Sequence, residues 1–201
     1  MFDYKGKVVA ITGASSGLGA QFALALANQG AKVAVCARRL EKLEAVKAKV
    51  EALGAECIAV KLDVTDEASV KECVATVENK WGRIDILCNN AGVSIYGDLL
   101  SYPTEDWDKV MNTNLKSMFL MSREVGKVMA KNHYGKIINT ASVGGHSGAA
   151  NQISYYASKG GVVNFTRALA ADMAPHGVTV NCIGPGVFDT EMTLPLIAIH
   201  L

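Results

Sequence analysis

"VVAITGASSGLG", residues 8–19, joins an apolar run to a turn that contains three glycines. The run is rich in β-branched residues, which is typical of a strand. Glycines at positions 13, 17 and 19 permit positive φ angles and close packing of a helix on a strand. Because helical periodicity follows at once, this stretch predicts a strand, a tight turn and a helix.

The same alternation continues along the chain. Apolar runs predict strands near residues 7–12, 32–37, 55–61, 84–89, 135–141 and 178–184. The longer segments between them have helical periodicity and predict helices near 17–29, 40–53, 66–81, 104–131 and 153–174. Strands that alternate with helices form a parallel sheet with helices on both faces. We therefore predict a single α/β domain over residues 1–201.

The composition is that of an ordinary soluble domain, with 50% hydrophobic residues and a formal net charge of +1. No basic block stands out, so we expect no nucleic-acid partner. No run approaches the ~20 apolar residues that span a bilayer, and the N-terminus has no export signal. We therefore expect no membrane partner and a cytoplasmic location. The five cysteines lack zinc-ligand spacing, so we predict reduced thiols and no metal.

The glycine turn also has the composition of a phosphate-binding loop. The start of a helix offers free N–H groups and the positive end of a dipole to an anion. A ligand-free turn would need glycine equally, but the order of strand, turn and helix favours a nucleotide. The residues expected to line this cradle are Gly13, Ser15, Ser16, Gly17, Leu18 and Gly19.

The spacing of these glycines, T-G-x-x-x-G-x-G, differs from the common dinucleotide fingerprint and resembles the short-chain dehydrogenase/reductase family. Further motifs of that family follow in the same order. They are "LDVTD" at 62–66, "NNAG" at 89–92, "MNTNL" at 111–115, "INTASVGG" at 138–145, "YYASK" at 155–159 and "GPGVFDT" at 184–190. Together they span residues 6–192. The resemblance implies a Rossmann-type doubly wound parallel sheet.

The resemblance also implies an activity and a set of site residues. The activity is NAD(P)-dependent interconversion of a secondary alcohol and a ketone, with Tyr155 as acid and base. The catalytic residues that it implies are Asn114, Ser142, Tyr155 and Lys159. Beyond the cradle, it implies that the cofactor meets Asp63, Val64, Asn90, Ala91, Gly92, Tyr155, Lys159, Pro185, Gly186, Val187 and Thr190.

The choice of tyrosine comes from the resemblance. Tyr155 and Tyr156 lie four and three positions before Lys159, and both spacings bring side chains together on a helix. Only Tyr155 holds the Tyr-x-x-x-Lys position of the family. The phenol, with an ordinary pKa of ~10, is a poor base near neutrality, and we expect the ammonium group to lower that pKa.

Arginines at the end of the second predicted strand favour NADP(H). NAD-binding sites of this kind usually have an acidic residue there, but this chain has Ala37, followed by Arg38 and Arg39. A guanidinium group suits a 2′-phosphate. The arginines could instead be surface residues that open the next helix, where cations are unfavourable. NADP(H) is therefore the expected cofactor, and NAD(H) is the alternative.

Family members usually continue with a further helix and a seventh strand, so we expect the last strand of the family to be missing here. Residues 193–201 have no counterpart that we recognise. The helices at 104–131 and 153–174 correspond to those that the family uses for a dimer interface, so the resemblance implies a homodimer, whereas a tetramer is left open. The substrate is expected to be a small-molecule ketone or alcohol. The alternative function is nucleotide binding without turnover, which the short C-terminal end favours and the intact catalytic set opposes.

Overall fold

The computed structural model describes residues 3–193, and within them six strands form one parallel sheet in the order β3–β2–β1–β4–β5–β6. The predicted strands are confirmed to within a few residues at each end. Their bounds are β1 (Val8–Thr12), β2 (Lys32–Ala37), β3 (Cys57–Lys61), β4 (Ile86–Asn89), β5 (Gly135–Thr140) and β6 (Val178–Ile183). Of the expected unmatched tail at 193–201, residues 194–201 lie outside the described residues.

Six α-helices connect or follow these strands in the described part of the chain. They are α1 (Gly17–Ala27), α2 (Leu40–Ala52), α3 (Glu67–Trp81), α4 (Thr104–Met111), α5 (Ser117–Lys131) and α6 (Ile153–Met173). The single helix expected at 104–131 is therefore two helices, joined by a π-helical turn over Asn112–Lys116. Such a turn inserts one residue into a continuous helix, so the apolar periodicity on either side still reads as helical. Between residues 3 and 193, no helix combines the length and apolar character needed to cross a bilayer.

Helices cover both faces of the sheet, as predicted. Side chains alternate along a strand, so Val8 and Ala10 pack on one side of β1, in a buried cluster with residues of α3 and α5. Val9 and Ile11 pack on the other side, with residues of α1 and α2. A strand buried on both faces is apolar at every position, and this explains the uninterrupted apolar run that begins the sequence motif.

The strand order places a functional crevice between β1 and β4. From β1 the chain moves outward through β2 and β3, and then returns to β4 on the other side of β1. The carboxyl ends of these two strands therefore diverge into loops on opposite sides, which is where open α/β sheets bind ligands. Within the described residues β6 pairs with β5 alone, so it forms one edge of the sheet.

A buried polar network fixes α5 and α6 to the sheet beneath this crevice. The side-chain Nδ2 of Asn89 donates hydrogen bonds to Ser122 Oγ and to Asn139 Oδ1, both at 3.0 Å. Asn139 Nδ2 in turn donates to Thr166 Oγ1 at 3.0 Å. These side chains are almost fully buried, so each of them depends on the others for its hydrogen bonds.

Asn139→Ala is expected to destabilise the protein, because it removes the partner that both Asn89 and Thr166 use in the interior. Loss of a buried hydrogen-bond partner of this kind lowers the free energy of unfolding by about 1–3 kcal/mol per group left unsatisfied. Urea unfolding measures the difference. The control, Asn164→Ala, removes an exposed asparagine from α6 and should change stability by less than about 0.5 kcal/mol. Equal effects of the two substitutions would contradict a structural role for the network.

Candidate active site

The glycine turn lies in direct contact with the chain that follows β4. A Cβ atom on Gly13 would stand 2.8 Å from Ala91 Cα, and one on Gly19 would stand 2.6 Å from Asn90 Nδ2. Gly13 and Gly17 also have positive φ angles of 67° and 54°. Gly13 and Gly19 therefore leave no space for a side chain, and Gly13 and Gly17 adopt a backbone conformation that favours glycine. The result is a turn whose bare backbone faces the crevice.

Thr12 joins the turn to β4 through its hydroxyl group. Thr12 Oγ1 accepts hydrogen bonds from the backbone N–H groups of Asn90 and Ala91, both at 3.0 Å. Asn90 Nδ2 returns a bond to the carbonyl oxygen of Thr12 at 3.1 Å. No role was assigned to Thr12 from the sequence, although this threonine begins the motif and was the available signal for the link.

The π-helical turn places Asn114 in the interior of the site. Asn114 is fully buried, its Oδ1 accepts from Val93 N–H at 2.8 Å, and its Nδ2 donates to Val93 O at 2.9 Å and to Ser158 Oγ at 3.0 Å. A Cβ atom on Gly92 would stand 3.3 Å from Asn114 Oδ1 and 3.7 Å from Lys159 Nζ. The amide of Asn114 and the amine of Lys159 therefore converge on the same point of the cavity wall.

Lys159 is buried and carries an unusual pKa. Its side chain is 4% exposed, and Nζ donates a hydrogen bond to Thr140 O at 2.7 Å. Burial penalises the ammonium form and lowers the pKa of Lys159 to about 8. Nζ lies 5.7 Å from the ring centroid of Tyr155, which places the amine one helical turn from the phenol, as the spacing predicts.

The expected effect of this lysine on the phenol is wrong for the arrangement described here. Burial raises the pKa of Tyr155, and the Ser142 hydroxyl, through a hydrogen bond, acts in the opposite direction. Tyr155 is partly buried, and desolvation disfavours the charged phenolate more than the Ser142 hydrogen bond favours it. Tyr155 therefore holds its proton near neutral pH.

The two tyrosines face different cavities. Tyr155 and Lys159 line a cavity of about 570 Å³ that also contains the glycine turn, whereas Tyr156 lines a neighbouring one beside Gly144. The two rings meet edge to face, with centroids 6.1 Å apart. Tyr155 is thus the tyrosine that shares a cavity with the glycine turn. Ser142 Oγ accepts a hydrogen bond from Gly144 N–H at 3.0 Å, which orients its hydroxyl group.

Most of the predicted cofactor residues line the cavity that contains the glycine turn. They are Gly13, Ser15, Ser16, Gly17, Leu18, Arg38, Arg39, Asp63, Val64, Asn90, Ala91, Gly92, Tyr155, Lys159, Pro185, Gly186 and Thr190. Two predicted residues do not belong to this lining. Gly19 instead packs against the backbone of Gly13, and Val187 is 73% exposed.

The two arginines take different directions. Arg39 Nη2 donates to Ser15 Oγ and Ser16 Oγ, both at 3.0 Å, so its guanidinium group lies across the glycine turn. Arg38 is exposed, and its charge contributes to a lowered pKa of Asp63. The main cause of that lowered pKa is a pair of hydrogen bonds from Thr65, whose backbone N–H and hydroxyl donate to Asp63 Oδ1 at 2.9 and 2.7 Å.

The donors and acceptors of the cavity fit a dinucleotide. No side chain caps the start of α1, so its first N–H groups are available to a phosphate. The hydroxyl oxygens of Ser94 and Thr140 line the same cavity, are buried, and have no hydrogen-bond partner in the described residues. Buried polar atoms without partners are costly, so a bound polar ligand would satisfy them. Across residues 3–193, no group of three or more His, Cys, Asp or Glu side chains is arranged to hold a metal ion.

Comparison with known proteins places this site in a family. A model of the family described as short chain dehydrogenase matches residues 7–198. A 3-oxoacyl-(acyl-carrier-protein) reductase from Synechocystis is 43% identical over 188 residues, which cover 93% of this chain and 76% of that protein.

Two solved structures show the same architecture. A variant of actinorhodin polyketide ketoreductase with NADPH superposes with a TM-score of 0.93 at 36% identity, covering 96% of this chain and 76% of that chain. NAD⁺-bound xylitol dehydrogenase gives a TM-score of 0.90 at 36% identity, covering 92% of this chain and 72% of that one. The family model and these relatives cover nearly the whole chain, and the protein belongs to the short-chain dehydrogenase/reductase family.

Proposed function

We propose that this protein is an NADP(H)-dependent oxidoreductase that interconverts a secondary alcohol and a ketone, with Tyr155 as the acid and base. The observation that carries the proposal is one cavity with two chemically different ends. The glycine turn and Arg39 form one end, and Tyr155 with the buried Lys159 forms the other. A dinucleotide that places its phosphates at the first end would bring its nicotinamide toward the second.

The site residues supply the proton chemistry of such a reaction. The nicotinamide, when bound, gives a hydride to the carbonyl carbon or accepts one from the alcohol carbon. In the direction of reduction the substrate oxygen needs a proton, and Tyr155 holds one because burial raises its pKa. The Ser142 hydroxyl, which lies within hydrogen-bond reach of Tyr155, would orient the same oxygen.

Lys159 has its role after the proton leaves. Loss of the phenolic proton creates a negative charge at a partly buried position, and the Lys159 ammonium group stands 5.7 Å from the ring centroid. With a pKa of about 8, Lys159 is mostly protonated near neutral pH and would stabilise that charge. Its hydrogen bond to Thr140 O keeps the amine in place. The lysine would thus act on the phenolate rather than on the resting phenol.

The preference for NADP(H) rests on the charges at the end of β2. Ala37 cannot hold a ribose 2′-hydroxyl as a carboxylate would, and Arg38, Arg39 and Lys42 bring three positive charges to this region. The ketoreductase structure contains NADPH and the xylitol dehydrogenase structure contains NAD⁺, so relatives of similar identity use either cofactor. The substrate class that we propose is a small-molecule ketone or secondary alcohol, and the synechocystis relative is named for a 3-oxoacyl substrate.

A homodimer is the assembly that we propose, through α4–α5 and α6. The ring of Phe119 on α5 is 47% exposed and lies 5.2 Å from the Arg123 guanidinium carbon. An exposed aromatic side chain with a neighbouring arginine is typical of interface composition.

Tyr155→Phe is expected to abolish turnover and leave cofactor binding intact, because it removes the proton donor and keeps the ring. The loss in kcat should be about 100-fold or more. NADPH consumption with a panel of 3-oxoacyl thioesters and cyclic ketones measures it, and fluorescence titration checks NADPH binding. Tyr156→Phe is the matched control and should retain turnover. A protein that binds NADPH but reduces none of the panel would favour nucleotide binding without turnover.

Arg39→Ala is expected to weaken NADPH binding about tenfold, because a charge-assisted contact to the 2′-phosphate is lost. NADH has no such phosphate, so its Kd should change by less than about twofold. Cofactor fluorescence titrations of the unmodified protein and of Arg39→Ala with each dinucleotide measure the four dissociation constants. Tighter binding of NADH than NADPH by the unmodified protein would overturn the cofactor preference and leave the family unchanged.

Lys159→Met is expected to remove a pH dependence of stability. The folded pKa of about 8 lies below the ordinary value of 10.5, so above pH ~8 the folded protein releases a proton that the unfolded chain keeps. Stability therefore rises with pH in this window. Between about pH 7 and about pH 9.5 the contribution amounts to about 2 kcal/mol.

Urea unfolding gives the free energy of unfolding of the unmodified protein and of Lys159→Met at these two pH values. The difference between the two proteins isolates Lys159, because the other titrating groups contribute equally to both. Lys61→Met, an exposed lysine on β3, is the control and should retain the full pH dependence. A stability difference between Lys159→Met and the unmodified protein that stays constant with pH would contradict the lowered pKa.

A further inference from the structure

Glu191 lies at the end of the cavity that the 2′-position of a cofactor would reach. Its Oε2 accepts from Arg39 Nη1 at 3.0 Å, and its Oε1 accepts from Lys42 Nζ at 2.7 Å. Ser16 Oγ donates to Oε2 at 3.4 Å. These three donors surround one carboxylate, although Glu191 is 149 positions away from Lys42 in sequence.

The backbone around Glu191 is shaped to present it there. Thr190 and Thr193 close a short turn, in which Thr190 N–H donates to Thr193 Oγ1 at 3.0 Å and Thr193 N–H donates to Thr190 O at 3.0 Å. A Cβ atom on Gly17 would stand 3.4 Å from Thr190 Cγ2, so this turn packs directly on the phosphate cradle. The segment after β6 thus runs along the cavity and brings Glu191 to Arg39 and Lys42.

The donors around Glu191 are those that a 2′-phosphate requires. Guanidinium, ammonium and hydroxyl groups are the usual partners of a phosphate monoester, and Arg39 also bridges to Ser15 and Ser16 of the cradle. The pKa of Glu191 is lowered to about 2 by its hydrogen bonds to Lys42 and Arg39, so the group is an anion. Two anions cannot share these donors, because each would face the charge of the other.

We propose that Glu191 occupies the place of the 2′-phosphate and competes with it for Arg39 and Lys42, so that this residue sets the ratio of NADP(H) to NAD(H) affinity. The inference rests on the proposed function, because it assumes that the cavity binds a nicotinamide dinucleotide. A cofactor with a free 2′-hydroxyl would leave the ion pairs of Glu191 intact. A cofactor with a 2′-phosphate would have to displace them, and its measured affinity would fall by the fraction of molecules in which they are formed.

Glu191→Gln tests this competition with little change of shape. If the ion pairs are formed in roughly two thirds to nine tenths of the molecules, their loss should tighten NADPH binding by about three- to tenfold. The Kd of NADH should change by less than about twofold. Fluorescence titration with each dinucleotide gives both constants without any turnover. Asp189→Asn is the matched control, since it removes one exposed negative charge from the same segment and should leave the ratio unchanged.

Adenosine 2′,5′-bisphosphate and adenosine 5′-diphosphate extend the test to ligands without nicotinamide. Glu191→Gln should tighten binding of the first and not of the second, as measured by calorimetry. An unchanged NADPH to NADH ratio in Glu191→Gln, or an equal change for both dinucleotides, would overturn the inference and leave the proposed function standing. Binding of neither dinucleotide, with tighter binding of the bisphosphate by the variant, would support competition of Glu191 with a 2′-phosphate but would overturn its role in cofactor choice, together with the proposed function. Failure of all four ligands to bind would overturn both.

Discussion

The contact between the glycine turn and the end of β4 is the constraint on which the rest of the site depends. Even one added Cβ atom on Gly13 would stand 2.8 Å from Ala91 Cα, and Thr12 is hydrogen-bonded to the two residues after Asn89, so the two loops are held in direct contact. β1 and β4 must therefore be neighbours, and the crevice must open at their carboxyl ends. The cradle for phosphates and the floor of the cavity are thus two sides of one contact.

The two ends of the cavity work by opposite physical means. At the cradle, charges remain accessible to water, and Arg39, Lys42 and Glu191 bind by pairing with one another. At the other end, burial dominates, and it raises the pKa of Tyr155 while it lowers that of Lys159. The proposed recognition of a charged ligand would therefore take place where ions exchange easily. The proposed proton transfer would take place where desolvation controls which atom carries the proton.

Sequence reasoning predicted the fold well, because the strands are buried on both faces and the glycine spacing permits few alternatives. Most of the residues that it assigned to the cofactor line one cavity, although Gly19 and Val187 do not. It did not predict the direction of the Tyr155 pKa, because burial depends on the packing of the whole site. Nor did it predict the contact of Arg39 with Glu191, which joins positions 152 residues apart. The π-helical turn was not predicted either, since one inserted residue leaves the apolar pattern on each side of it unchanged.

The residue inserted by the π-helical turn lets Asn114 face the site while α4 and α5 both pack on the core. One additional residue in a helix rotates everything after it by about 100° relative to a regular spiral. Val110 of α4 and Met118 of α5 are both buried, so the helices on either side of the turn each direct apolar side chains into the core despite the rotation. A chain shortened by one position here would have an uninterrupted helix of better local hydrogen bonding, yet either its core or its asparagine would face the wrong way. The site therefore depends on an irregular helical turn, and in this turn the number of residues matters as much as their identity.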